Sequence, residues 1–173
     1  MTRDEAVFTD AFCVYCRAGK EMATAARVNA YGSLRAVVPT RIRRDKENGK
    51  WTDKELMLFP SYFFVYAEGE EGLMNLRLAA QREPISLVAY GDGTVTLRGE
   101  DLLFARWIWE HNGTIGLSAA VREGDAVRIV EGPLAQARGI IRRVDKRRKL
   151  MQIELEINGF TTWLSYDWVD KAE

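Results

Sequence analysis

The sequence is poor in the residues that build disulfide frameworks and metal sites. Its 173 residues include two cysteines, Cys13 and Cys16, and one histidine, His111. A disulfide scaffold needs more cysteines, and a structural zinc site needs about four ligands. A small redox enzyme built on this C-x-x-C pattern would need a thiolate at a helix N-terminus, whereas here the pattern lies in a predicted strand. We therefore expect both cysteines to pack in the core, and we expect no metal and no cofactor.

The chain also lacks a long apolar run. No stretch approaches the roughly 18 apolar residues that predict a membrane span. Residues 1–10 mix charges and lack the apolar segment of a signal peptide. We therefore expect a cytoplasmic protein with no membrane partner. We also expect a monomer.

Net charge is absent as well, because 25 basic and 25 acidic residues balance. The balance hides an uneven distribution: residues 121–149 carry 9 positive and 4 negative charges, and residues 150–173 carry 1 and 5. Such a basic stretch suits a face that meets an anionic polymer, and it equally suits a solvated surface.

No catalytic set is recognisable. No serine lies in a nucleophile-elbow context, and Gly91-Asp92-Gly93 is a turn without a phosphate-loop pattern. Glu154 and Glu156 alternate along a predicted strand with no partner base. We therefore predict that the protein is not an enzyme.

Hydrophobic periodicity divides the chain into two domains. Residues 1–111 mix predicted strands (11–17, 34–39, 62–66 and 85–89) with predicted helices (20–31, 70–80 and 100–111), which is typical of an α+β sandwich. Residues 40–54 surround Asn48-Gly49 and predict either a hairpin or a mobile loop. Residues 112–120 are small and weakly patterned and predict a linker. Residues 121–173 contain four or five short alternating strands, which predict a small barrel.

Three segments resemble the NusG family, and they occur in the family's order. They are VYCRAGKE at 14–21, LFPSYFFV at 58–65 and GDAVRIVEGPLAQARGIIRRVD at 124–145, the last of which looks like a KOW motif. The resemblance implies a NusG-type N-terminal α/β sandwich followed by a small SH3-like KOW β-barrel. Gly132 and Gly139 stand where such a barrel needs positive φ or close strand approach, and Pro133 fits a turn.

The resemblance also implies a transcription elongation or antitermination factor. In the family, the region of the Phe-Pro-x-Tyr segment forms an apolar surface that receives the clamp helices of RNA polymerase. Carried onto this chain, the polymerase-binding residues are Phe59, Tyr62 and Phe64. Core packing is the alternative for these three aromatic residues.

Two departures point to a specialised paralogue that resembles RfaH or LoaP. Ser61 follows Pro60 where the general factor has glycine, and Asn158 stands where the general factor carries an aromatic residue that contacts a ribosomal protein and Rho. The resemblance therefore does not extend to the general factor's coupling to Rho and to the ribosome, and the sequence leaves that coupling open.

The basic stretch is the candidate nucleic-acid contact of the barrel. Lysine and arginine neutralise phosphates, and arginine also makes forked contacts with RNA. We predict contacts with nascent RNA or non-template DNA through Arg17 and Lys20 near the first helix and through Arg138, Arg142, Arg143, Lys146, Arg147, Arg148 and Lys149. The alternative is a soluble charged hairpin paired in part with Glu154 and Glu156. The rival function is an RNA-binding or ribosome-associated KOW protein that acts without polymerase.

Overall fold

A computed structural model of the chain describes residues 8–136 and 141–169. These ranges contain three α-helices and twelve β-strands, arranged in three sheets. The elements of the N-terminal part are β1 (Asp10–Cys16), α1 (Glu21–Asn29), β2 (Arg35–Val37), β3 (Thr40–Glu47), β4 (Lys50–Met57), β5 (Tyr62–Ala67), α2 (Gly69–Arg82), β6 (Ile85–Leu87), α3 (Gly99–Glu110) and β7 (Thr114–Ile115). None of the helices in the described ranges is long and apolar enough to cross a membrane.

The four-stranded sheet has the order β2-β5-β1-β6 and is covered on both faces. Because side chains alternate along a strand, Phe12 and Phe63 pack with α1 and α2 on one face. Cys13 and Phe64 pack with α3 on the opposite face. The result is the predicted α+β arrangement, with two apolar layers separated by one sheet.

Residues 40–57 form a long hairpin, so the hairpin alternative of the sequence analysis is confirmed. β3 pairs with β4 along its whole length, from Thr40 opposite Met57 to Glu47 opposite Lys50. The turn residues Asn48 and Gly49 have φ values of 50° and 76°, as a two-residue hairpin turn requires. On its other edge β3 pairs in parallel with β7 at Thr40 and Arg41.

The remaining strands form a five-stranded sheet with the order β10-β11-β12-β8-β9. We call the described residues from Ser118 onward, 118–136 and 141–169, the C-terminal β-unit. Its strands are β8 (Ser118–Glu123), β9 (Ala126–Glu131), β10 (Ile141–Asp145), β11 (Leu150–Glu154) and β12 (Thr161–Trp168). The residues predicted as a linker hold β7 and the first residues of β8. The division into domains at 111 and 121 remains a prediction.

Gly132 confirms one conformational prediction from the sequence. Its φ is 98°, and a Cβ at this position would lie 2.7 Å from the Cα of Ser118. Positive φ and close backbone approach therefore both require glycine here. Gly139 lies outside the described residues.

The apolar layer beneath α3 continues into the C-terminal β-unit. Phe104 and Ile108 of α3 belong to the same buried cluster as Ile153, Leu155 and Leu164 of the β-unit. One continuous core thus joins the two parts of the chain in this arrangement.

Candidate binding surfaces

The predicted polymerase-binding residues lie at the junction between the N-terminal part and the C-terminal β-unit. Phe59 and Phe64 are buried, with 6% and 2% of their surfaces exposed, and Tyr62 is partly buried. Phe160, between β11 and β12, packs on Tyr62 with ring centroids 4.4 Å apart and on Phe59 at 6.0 Å. Phe64 lies deeper, 6.1 Å from the Phe104 ring of α3. The segment therefore combines core packing with a surface that Phe160 covers.

A buried carboxylate fixes the corner that precedes this surface. Glu21, at the start of α1, accepts backbone N–H groups of Gly19 and Ser61, each at 3.0 Å. Burial raises the pKa of Glu21, but three backbone N–H donors, its own and those of Gly19 and Ser61, hold the pKa below its ordinary value. The predicted DNA-contacting residues Arg17 and Lys20 are exposed on the same turn, beside the aromatic segment.

A second buried carboxylate ties α3 to the C-terminal β-unit. Asp101 is fully buried and accepts the backbone N–H groups of Glu156 at 2.8 Å and Ile157 at 2.9 Å. It also accepts the hydroxyl of Tyr90 at 2.6 Å. Three donors thus compensate the burial of one carboxylate, and two of them come from the β-unit.

Polar contacts extend this junction on both sides of the aromatic rings. The Thr162 hydroxyl donates to the Leu58 carbonyl at 3.0 Å. The Arg142 guanidinium pairs with Glu100 at 2.9 Å across the junction. Arg142 also lies 3.9 Å from Glu154, so the pairing expected from the charged-hairpin alternative occurs in part.

The rest of the basic run surrounds the turn between β10 and β11. Arg143, Lys146 and Arg147 are exposed. Arg148 and Lys149 are held locally: Arg148 lies 3.9 Å from Asp145, and Lys149 lies 2.7 Å from Asp167. The structure thus places six of the predicted cations on one hairpin: Arg142, Arg143, Lys146, Arg147, Arg148 and Lys149. Arg138 lies outside the described residues.

The two cysteines face opposite sides of the sheet, in different core clusters. Burial, and then the charge of Asp101, raise the pKa of Cys13 to about 12. Burial, and then the charge of Glu21, raise the pKa of Cys16. A raised pKa suppresses the reactive thiolate, which is the opposite of what the redox alternative requires.

The single histidine caps a helix. The backbone N–H of His111 donates to the Trp107 carbonyl at the end of α3, and the ring Nδ1 lies 2.8 Å from the same oxygen. Within the described ranges, no group of three or more His, Cys, Asp or Glu side chains is arranged to hold a metal ion.

Sequence reasoning missed the residues of the C-terminal β-unit that cover the aromatic surface. Phe160 follows Asn158-Gly159, and a lone aromatic after a turn signal gives no indication of a partner 98 positions earlier. The acceptor role of Asp101 left no sequence signal, since an acidic residue in the first turn of a helix is ordinary.

Comparison with known proteins identifies sequence relatives that share one name. No family model matches the chain. The transcription termination/antitermination protein NusG of Thermus thermophilus is 27% identical over 157 residues, which cover 82% of this chain and 84% of that protein. The protein of the same name from Pseudomonas aeruginosa is 26% identical over 140 residues, covering 79% and 78%. A solved structure described as "Domain interaction in Thermotoga maritima NusG" aligns with a TM-score of 0.44 at 19% identity, covering 90% of this chain and 91% of that one.

The two sequence relatives come from different bacteria, and each aligns over most of its own length as well as most of this chain. Proteins of this name are transcription factors and not enzymes, in agreement with the sequence prediction. The chain is thus similar, over most of its length, to bacterial transcription termination/antitermination proteins named NusG.

Proposed function

We propose that the chain is an elongation or antitermination factor that binds RNA polymerase through residues 1–111 and RNA or a protein partner through residues 121–173. Docking of the polymerase clamp helices on the N-terminal part would favour the pause-resistant state of polymerase by differential binding. The tethered C-terminal part would then meet its partner at raised effective concentration. The factor would act in the cytoplasm as a monomer, in the manner of specialised paralogues such as RfaH and LoaP.

The observation that carries this proposal is the aromatic surface at the junction. Tyr62 is only partly buried, and Phe160 of the C-terminal β-unit packs on its ring at 4.4 Å. If the β-unit moved away, Tyr62 and the edge of Phe59 would become accessible together. An exposed aromatic patch of this kind fits the apolar face of a helix pair.

Polymerase binding at this surface requires the two parts of the chain to separate. A clamp helix that docked on Tyr62 would have to displace the Phe160 ring, and Asp101 and Thr162 add hydrogen bonds to the covered arrangement. The free energy of opening would therefore reduce the apparent affinity for polymerase.

Nucleic-acid contact is proposed for the basic hairpin and for the turn before α1. Arg143, Lys146 and Arg147 are exposed at the β10–β11 turn, and Arg17 and Lys20 are exposed beside the aromatic segment. Exposed cations at two places suit phosphate contacts with the nascent transcript and the non-template strand.

Co-elution with core bacterial RNA polymerase tests the proposal. The full chain should co-elute, and Tyr62→Ala should weaken the interaction about tenfold, as loss of a buried aromatic anchor does at other interfaces. Tyr31→Ala is the matched control, because Tyr31 packs against the opposite core cluster.

The control variant should co-elute like the parent. Failure of the parent to bind polymerase, alone or in a transcribing complex, would contradict the proposal. It would favour the rival function, an RNA-binding or ribosome-associated protein that acts without polymerase.

A further inference from the structure

A groove of about 410 Å³ separates the β3–β4 hairpin from the C-terminal β-unit. The hairpin supplies one wall, and the β11–β12 hairpin with its preceding turn supplies the other. β3 pairs with β7 only at Thr40 and Arg41, so the groove follows the part of β3 beyond this pairing. The lining includes five cationic side chains and one indole: Arg41, Arg43, Arg44, Arg148, Lys149 and Trp51.

Positive charge dominates the groove. Five cationic residues line it against two carboxylates, Asp45 and Asp167, which leaves a formal charge of +3. The whole chain is neutral, so this concentration of charge is local. A cleft lined by one sign of charge attracts an anionic ligand.

Arg41 is the most informative of these cations. Its guanidinium donates to the Ser165 hydroxyl at 2.8 Å, across the groove floor. Among the described residues, no carboxylate lies within ion-pair distance of Arg41. Burial, and then the charge of Arg43, lower the pKa of Arg41, against a smaller opposing effect of Asp45. Two guanidinium groups two positions apart on one strand thus lie close enough to repel each other, and a bound anion would relieve this repulsion.

The carboxylates near the other cations do not prevent an anion from binding in the groove. Arg43 pairs with Asp45 at 2.9 Å, and Lys149 pairs with Asp167 at 2.7 Å. These side chains are partly exposed, and such ion pairs are weak in water. A phosphate group can therefore compete for the same guanidinium and ammonium groups, with forked geometry at arginine.

An exposed indole borders the cations. Trp51 of β4 has 61% of its surface exposed, although tryptophan is ordinarily well covered. The Lys46 ammonium lies 5.7 Å from its ring centroid. Basic grooves bordered by aromatic rings bind single-stranded nucleic acids, because phosphates meet the cations while a base stacks on the ring. An acidic peptide would use the charge but would leave the indole without a role.

We propose that this groove binds a short segment of single-stranded nucleic acid, with phosphates on Arg41, Arg43 and Arg148 and one base on Trp51. This site differs from the nucleic-acid contact proposed above at the exposed β10–β11 turn, because one of its two walls is the β3–β4 hairpin. It rests on the proposed function only in that a transcription factor works beside single strands. Since both walls are needed, the bound strand would favour the arrangement in which the β-unit packs on the N-terminal part, and it would therefore oppose the separation that polymerase binding requires.

Fluorescence anisotropy of the full chain with labelled oligonucleotides of about ten nucleotides tests this site. The probes are mixed-sequence single-stranded RNA, DNA of the same sequence, and the corresponding DNA duplex. The parent should bind a single strand more tightly than the duplex. Tighter binding of RNA would identify the transcript as the natural source, and tighter binding of DNA would identify the displaced DNA strand.

Two variants separate charge from stacking. Arg41→Ala/Arg43→Ala should weaken binding at least about tenfold and should reduce the slope of log affinity against log salt by about 1.4, since two phosphate contacts are lost. Trp51→Ala should weaken binding about tenfold, and Trp51→Phe should restore part of the loss, because a phenyl ring still stacks. Trp51 is exposed, so its replacement does not threaten folding.

Arg77→Ala/Arg82→Ala is the matched control, because it removes the same charge from exposed positions on α2 that do not line the groove. It should bind like the parent. Equal affinity of the parent and both groove variants, equal affinity for duplex and single strand, or no binding by the parent at low salt would overturn the proposal. The assay contains no polymerase, so its failure is independent of the co-elution result.

Discussion

The carboxylate of Asp101 accepts the backbone N–H of Ile157 at 2.9 Å, which joins the first turn of α3 to the C-terminal β-unit. Its other oxygen accepts the N–H of Glu156 at 2.8 Å, and Tyr90 donates a third hydrogen bond. A carboxylate accepts at both oxygens, whereas an amide accepts at only one. The junction therefore depends on the charge state and the shape of one side chain.

Asp101→Asn should lower the free energy of unfolding by about 2–3 kcal/mol, because at least one buried donor loses its acceptor. Urea unfolding at neutral pH measures the change. Glu100→Gln is the control on the same helical turn, since it breaks only the exposed pair with Arg142 and should cost about 0–1 kcal/mol. Equal effects of the two substitutions would contradict the role assigned to Asp101.

Glu21 predicts a dependence of stability on acid. The folded-state pKa is held below the ordinary value of 4.5, so ionised Glu21 contributes stability above about pH 4.5. That contribution is lost as the pH falls through the lowered folded-state pKa. The difference in free energy of unfolding between the parent and Glu21→Gln should therefore be largest near about pH 7 and should shrink in acid.

Urea unfolding at a series of pH values measures this difference. Glu71→Gln removes an exposed carboxylate from α2 and reports the general effect of losing one negative charge. A Glu21 difference that stayed constant, or that grew toward low pH, would rule out the account of its hydrogen bonds.

Gly132→Ala should destabilise the C-terminal β-unit by about 3 kcal/mol. The backbone has a φ of 98°, and the added Cβ would meet the Ser118 Cα at 2.7 Å. Gly116→Ala is the control, since its φ lies outside the left-handed region and no atom lies within 4 Å of the added Cβ. Thermal unfolding of both variants measures the difference, and a neutral result at Gly132 would contradict the close approach.

Local features of the fold were predictable because their causes are local in sequence. Residues 40–54 predicted either a hairpin or a mobile loop, and the hairpin forms because Asn48 and Gly49 both adopt the positive φ that its turn requires. The positive φ of Gly132 agrees with the turn expected before Pro133. The strand predicted at 62–66 is present as β5. It could be predicted because the alternation of its large side chains depends only on residues next to one another in the sequence. The helix predicted at 20–31 spans Glu21–Asn29, a shift of one residue at its start, where no side chain caps the helix, and of two residues at its end.

The junction was not predictable because its partners are distant in sequence. Nothing near Phe160 indicates that its ring packs on Tyr62, and nothing near Arg41 indicates that it crosses to Ser165. The sequence predicted an aromatic surface, but whether another part of the same chain covers it depends on tertiary packing. The roles of these residues in polymerase binding stay predictions.

The decisive measurement is the affinity for core RNA polymerase of a chain whose junction has been weakened. Phe160→Ala removes the ring that covers Tyr62, so it should bind core RNA polymerase several-fold more tightly than the parent. Adding Tyr62→Ala to Phe160→Ala should remove this gain and weaken binding below that of the parent. Unchanged affinity in Phe160→Ala, or a double variant that binds as tightly as the single one, would show that polymerase does not use the covered aromatic surface.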